Sequence, residues 1–142
     1  NDDYFLKDHP KSTGPDYFNL RWVYSYLKKI DCDLNPADVQ ATLTELTILS
    51  LLTSLKTLKA EDYKVYFCGG GIHNEFMMTR MSTKLNQDVR TTNDLGVDPD
   101  FLEAICFAWL AAKRLDNIKF NLKEITGSKG TVFLGRIYKP VK

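Results

Sequence analysis

The 142-residue sequence has no stretch in which lysine and arginine gather: nineteen basic residues against eighteen acidic ones leave a formal charge of +1, spread along the chain. Without a basic footprint, a nucleic-acid partner is disfavoured. Long apolar runs are also missing. The longest, Leu46 to Leu58, is interrupted by Thr47, Ser50, Thr53, Ser54 and Lys56, so it does not make a membrane span, and no secretory leader is visible. Cysteine is scarce: Cys32, Cys68 and Cys106 are odd in number, widely spaced and without a C-x-x-C pair. That pattern argues against a disulfide framework and against a zinc cluster, and it fits the cytoplasm best. His9 and His73 lie far apart with no second ligand at metal spacing, so no metal-binding side chain is expected. No Gly/Ser-rich linker, repeat or low-complexity run divides the chain. There is no initial methionine before Asn1, which raises the expectation of a piece of something longer.

What is present is enough apolar residue, 44% against 26% charged, for a single globular domain over residues 1–142. Residues 1–14 are rich in turn formers and read as loop. Pro15 suits a first helical position, and Phe18, Trp22, Tyr26 and Leu27 share a helical face, predicting a helix to about Lys29. Asn35-Pro36-Ala37-Asp38 repeats the start signal with a cap, a proline and an acid, and opens a long helix to about Leu58. Val39, Leu43 and Leu46 mark one side of it and Ile48, Leu51, Leu55 and Leu58 another, the pattern of a central core helix. Val65-Tyr66-Phe67 then reads as a strand, and residues 74–85 as a helix. An extended piece over 88–91 and a turn at Asn93-Asp94-Leu95-Gly96 follow. Asp98-Pro99 opens the last clear helix, whose apolar face is Phe101, Ile105, Ala108, Trp109, Ala112 and Leu115, and Thr131 to Tyr138 reads as a closing strand. The class is α/β, helix-rich with a small sheet.

Between the strand at 65–67 and the helix at 74 stand Cys68-Gly69-Gly70-Gly71-Ile72-His73-Asn74. A turn without side chains lets the main chain approach a ligand, and the helix start beyond it offers N–H groups and partial positive charge. The dinucleotide fingerprint fails because Asn74 replaces its third glycine, and a Walker A loop fails for want of a lysine. Gly127-Ser128-Lys129-Gly130-Thr131 lacks the G-K-[ST] order and reads as a turn. The competing explanation of the three glycines is close strand-helix packing, with Asn74 serving only as an N-cap.

Two acids carry similar alternatives. Asp38, Glu45 and Lys56 fall in one angular strip of the long helix, where a solvated stripe is the default and a ligand role for Glu45 the alternative. Glu103 projects from the side of its helix opposite the apolar face, one turn before Phe107. Such a pair either lines a cleft or amounts to a solvated acid beside a second packing contact.

Taken together, five blocks in order resemble the anhydro-N-acetylmuramic acid kinase family of the acetate and sugar kinase, Hsc70 and actin superfamily. They are Pro10 to Gly14 followed by Asp16 to Leu20; Asp38 to Thr47; Cys68 to Asn74; Glu103-Ala104 with Phe107 to Ala111; and Asn121-Leu122 before Ile125-Thr126-Gly127. The resemblance covers nearly the whole chain and matches only the C-terminal part of such a kinase. It implies an actin-like (ribonuclease H-like) ATPase lobe of a two-lobe enzyme, with the N-terminal lobe absent. It further implies a cytoplasmic protein of peptidoglycan recycling, homodimeric at full length, using ATP and Mg to hydrolyse the 1,6-anhydro ring and phosphorylate O6.

On the same resemblance, Gly70 and Gly71 match the adenosine motif, Gly69 and Asn74 flank it, and Glu103 matches an acid of the sugar cleft. The catalytic aspartate and first phosphate loop belong to the N-terminal half, so no catalytic residue is expected here and the isolated chain is expected to be inactive. The chain departs from the family at Asn117 to Lys123, where a glycine- and proline-rich turn is usual, and at Ser128, where alanine is usual. The alternative function is a non-catalytic nucleotide-binding or interaction module reusing this lobe.

Overall fold

Asn35 starts the longest element of the computed structural model, which describes residues 2–57 and 63–140. Its side chain accepts from the Ala37 N–H at 2.9 Å, satisfying one of the donors that a helix leaves free at its start. Helix α3 then runs Pro36–Thr57, as the spacing predicts, while Leu58 lies outside the described residues. Thr42, Thr44, Thr47 and Thr53 turn their hydroxyls back onto carbonyls one turn earlier, so the helix tolerates them.

The chain order before it is α1 (Asp3–Leu6) and α2 (Leu20–Leu27). After it come β1 (Tyr66–Phe67), a 3-10 turn (Gly70–His73), α4 (Glu75–Leu85), β2 (Arg90–Thr91), a second 3-10 turn (Thr92–Leu95) and α5 (Leu102–Leu115). The chain closes with β3 (Phe120–Asn121), α6 (Lys123–Thr126) and β4 (Thr131–Val132). This is a helix-rich α/β arrangement with two small ladders. β1 and β2 are parallel, pairing Tyr66 with Arg90 and Phe67 with Thr91; β3 and β4 are antiparallel, pairing Phe120 with Val132. Among the described residues no helix is long and apolar enough to cross a membrane.

The residues divide into two compact units, one of Leu34–Ala108 and one of Asn1–Asp33 with Trp109–Lys142. In the first, α3 packs on α4, and the buried apolar residues among those described are Ile48 and Met81. Val39, Leu43, Leu46, Leu51 and Leu55 are half-buried around α3, consistent with its wide apolar circumference.

In the second unit an acid organises the packing. Asp2, 9% exposed, accepts from the Trp22 indole at 2.8 Å, the Tyr17 hydroxyl at 2.9 Å and the Tyr26 hydroxyl at 3.1 Å. It also caps α1 through the Tyr4 N–H at 2.9 Å. Phe18 meets Tyr4 and Trp22 edge to face at 5.2 and 5.0 Å between centroids, the geometry that aromatic quadrupoles favour.

Several local expectations give way. Residues 1–14 are not all loop, because Asp2 caps the single turn of α1. Pro15 opens only a turn: Asn19 accepts from the Arg21 and Trp22 N–H groups and so takes over the cap of α2. Asp98-Pro99 likewise precedes a turn before α5, in which Asp98 accepts from the Asp100 N–H at 2.9 Å. The closing strand shrinks to Thr131–Val132, since its partner has two residues and Gly135 turns the chain at φ +108. The apolar face of α5 is not core. Phe101, Ile105, Trp109 and Leu115 stand 49–70% exposed, because spacing selects a face but burial needs an element to cover it.

Candidate functional site

β1 delivers the chain to Gly69, whose φ of +78 and ψ of 177 lie in a region that is essentially glycine's alone. The 3-10 turn Gly70–His73 follows, its first internal bond running from the Ile72 N–H to the Gly69 carbonyl at 3.1 Å. Asn74 leaves this turn and caps α4, accepting from the Met77 N–H at 3.0 Å, with Glu75 in the first turn of the helix. The strand-to-helix passage read from the sequence is thus present, with a 3-10 turn inserted. It stands at the carboxyl end of the parallel pair β1–β2, the edge at which α/β sheets present ligand sites.

The three glycines do different things. A Cβ on Gly69 or Gly70 would meet nothing among the described residues within 4 Å, so their outer side is open. A Cβ on Gly71 would stand 2.8 Å from the Met77 methyl. Conformation therefore accounts for Gly69, only the movable end of the Met77 side chain stands against a side chain at Gly71, and neither conformation nor packing accounts for Gly70.

Two contacts fasten this loop to the segment that opens α5. The Gly69 N–H donates to the Pro99 carbonyl at 2.9 Å, and the His73 imidazole meets the Asp100 carboxylate with Nε2 at 2.8 and 3.1 Å from its two oxygens. His73, unremarkable by sequence spacing, belongs to the neighbourhood of the site. The signal that marks it is its position inside the glycine block; nothing in the sequence identifies its partner 27 residues away.

Glu103 lies in the first turn of α5 and is exposed, as is Phe107 one turn on at 70%. Glu45 is neither solvated stripe nor free ligand. It accepts from Arg80 Nε on α4 and lies 3.4 Å from Lys84 Nζ. The Arg80 hydrogen bond holds its carboxyl below the usual glutamate range despite partial desolvation, and the same bond raises the guanidinium.

Side chains at Gly69 and Gly70 would fill space that is open, so bare main chain is accessible to a ligand there. Magnesium finds no such counterpart, since no group of three His, Cys, Asp or Glu able to hold a metal ion exists among the described residues. Cys32, Cys68 and Cys106 are exposed free thiols.

A family model described as anhydro-N-acetylmuramic acid kinase matches residues 1–140. A protein of that name from Pseudomonas syringae pv. tomato is 46% identical over 138 residues, covering 96% of this chain and 38% of the relative. One from Pasteurella multocida is 45% identical over 141 residues, covering 98% and 37%, and one from Legionella pneumophila strain Corby 41% over 142 residues, covering 99% and 38%. The chain thus spans a little over a third of the length of these relatives.

Proposed function

The chain belongs to the anhydro-N-acetylmuramic acid kinase family, and on that premise we propose that it supplies the adenosine half of an ATP-dependent sugar kinase site. The whole protein would act on 1,6-anhydro-N-acetylmuramic acid. Water adds to the anomeric carbon, the bond from that carbon to O6 breaks, and the released O6 takes the γ-phosphoryl group, giving N-acetylmuramic acid 6-phosphate and ADP. This chemistry needs a base for the water and donors for the developing phosphoryl charge. No acid of this chain is assigned as that base.

The residues present have binding roles. Gly70 lets adenine and ribose lie against bare main chain, Gly69 provides the turn that exposes it, and Gly71 with Asn74 fixes the loop on α4. Glu103, exposed at the start of α5 in the same unit, is the candidate for the sugar. Magnesium would arrive with the triphosphate. In this reading residues 1–142 form the actin-like C-terminal lobe of a cytoplasmic, homodimeric enzyme of peptidoglycan recycling. The observation that carries the nucleotide site is the open side of Gly70 at the carboxyl edge of the parallel strands.

The test is turnover of 1,6-anhydro-N-acetylmuramic acid with ATP by the full-length protein, alongside ADP binding to the wild type and to Gly70→Val. Turnover by the full-length protein and loss of ADP affinity in the variant are expected. ADP binding without turnover would favour a non-catalytic nucleotide module, and unchanged affinity in Gly70→Val would overturn the assignment of the glycines.

A further inference from the structure

The glycine segment and the start of α5 are joined twice, once through main chain and once through side chains. Gly69 N–H to Pro99 carbonyl holds the beginning of the loop, and His73 to Asp100 holds its end. Everything proposed to touch nucleotide, Gly69 to Asn74, lies between or beside these fastenings. Glu103, proposed to touch sugar, lies in the first turn of α5, three residues after Asp100. From this we infer that His73 and Asp100 are positioning residues, a side-chain latch that sets the nucleotide loop and the sugar-facing end of α5 in one fixed relation. The inference rests on the nucleotide and sugar roles proposed above.

An ordinary stabilising role does not explain the pair. The side chains of His73 and Asp100 are 63% and 49% exposed, and a side-chain contact so open to solvent adds little to folding stability. The turn around Asp100 also has its own support: the Asp100 N–H donates to the Asp98 carboxylate and the Phe101 N–H to the Asp98 carbonyl at 3.1 Å. Removing the Asp100 side chain leaves both bonds in place. What is lost is the side-chain tie at the end of the loop, 27 residues from its partner, while the Gly69–Pro99 main-chain bond still holds its beginning. A phosphoryl acceptor and donor held on such segments need their separation fixed to a fraction of an ångström, and misplacement by about 1 Å reduces rate by up to roughly a hundredfold.

The experiment compares His73→Ala, Asp100→Ala, the double variant and His73→Gln in the full-length kinase, whose glutamine nitrogen can replace the imidazole Nε2 as donor. Readouts are kcat and KM for ATP and for the anhydro-sugar, with Tm as control. Each alanine variant is expected to lower kcat/KM about ten- to a hundredfold with Tm little changed. The double variant should be no worse than either single one, because both remove the same contact, and His73→Gln should retain most activity. Single variants within twofold of wild type, additive losses in the double variant, or losses matched by a collapse in Tm would each overturn the latch. Gly70→Val in parallel separates the two readings: normal ADP affinity there defeats the nucleotide assignment, whereas lost affinity there with normal kinetics in Asp100→Ala defeats the latch alone.

Discussion

Arg80 on α4 donates from Nε to Glu45 on α3, and Lys84, one turn further along α4, approaches the second oxygen of the same carboxylate. The glycine segment leads directly into α4, so this contact seats the helix that follows the candidate site. Glu45→Gln should lower Tm slightly, by about 1–2 °C, at neutral pH. Because the folded carboxyl titrates below its ordinary value, its contribution is complete above the usual glutamate range and vanishes as pH falls through the lowered one. Melting curves of wild type and variant should therefore converge in acid, and a difference that persists there would remove charge from the explanation.

Asp2 gives a second pH dependence of the same sign. The Trp22 indole, then the Tyr4 N–H, with smaller help from Tyr17 and Tyr26, hold its carboxyl down from 3.8 to about 2 against the effect of burial. Packing around Trp22 should be intact above pH 3.8 and loosen as pH falls towards 2. Tryptophan fluorescence against pH would follow it, and Asp2→Asn should flatten that acid transition.

At the glycines the three substitutions should separate by mechanism. Gly69→Ala forces a side chain into a backbone region that costs about 1–3 kcal/mol, and should show in stability. Gly70→Val should leave Tm near wild type and weaken ADP binding. Gly71→Ala displaces only the flexible end of Met77, so a small effect on both is expected from melts and calorimetric titration.

These loop features were legible in the sequence because they are local. Asn74 two residues before an apolar run, or Gly96 after Leu95, needs no knowledge of distant chain, and each occupies the cap its type suggests. Glu45 could be placed on a strip of α3 but not on Arg80, since 35 residues separate them and helical spacing names no partner outside its own helix. The two-residue strand Phe120–Asn121 is too short for alternation to mark. Ile105 and Trp109 share a face as the spacing predicts, yet that face is uncovered among the described residues, because periodicity reports similarity of neighbours and not the presence of a second surface.

Ile48 is fully buried and Met81 2% exposed, on the two helices that pack together. Truncating either to alanine should destabilise by about 2–5 kcal/mol, more than any surface change on α3 or α4. Denaturant unfolding would check this, and a loss below about 1 kcal/mol at Ile48 would show that the site collapses around the gap.

Thr92, 9% exposed, keeps a buried Oγ1 without a hydrogen-bond partner among the described residues. An unsatisfied hydroxyl of this kind costs about 1–3 kcal/mol. Thr92→Val keeps the shape and removes the penalty, so its Tm should equal or exceed that of wild type.

The parallel pairing of Tyr66 with Arg90 and Phe67 with Thr91 has a consequence in time. Parallel strands cannot meet through a hairpin; the whole crossover between them, α4 included, must first fold back. Contacts of such sequence separation form late, after loop-closure entropy has been overcome. The turn at Gly69 to His73 lies inside that crossover, so it is expected to settle only once the two strands have paired, and a probe attached at exposed Cys68 would report that step after the helices have formed.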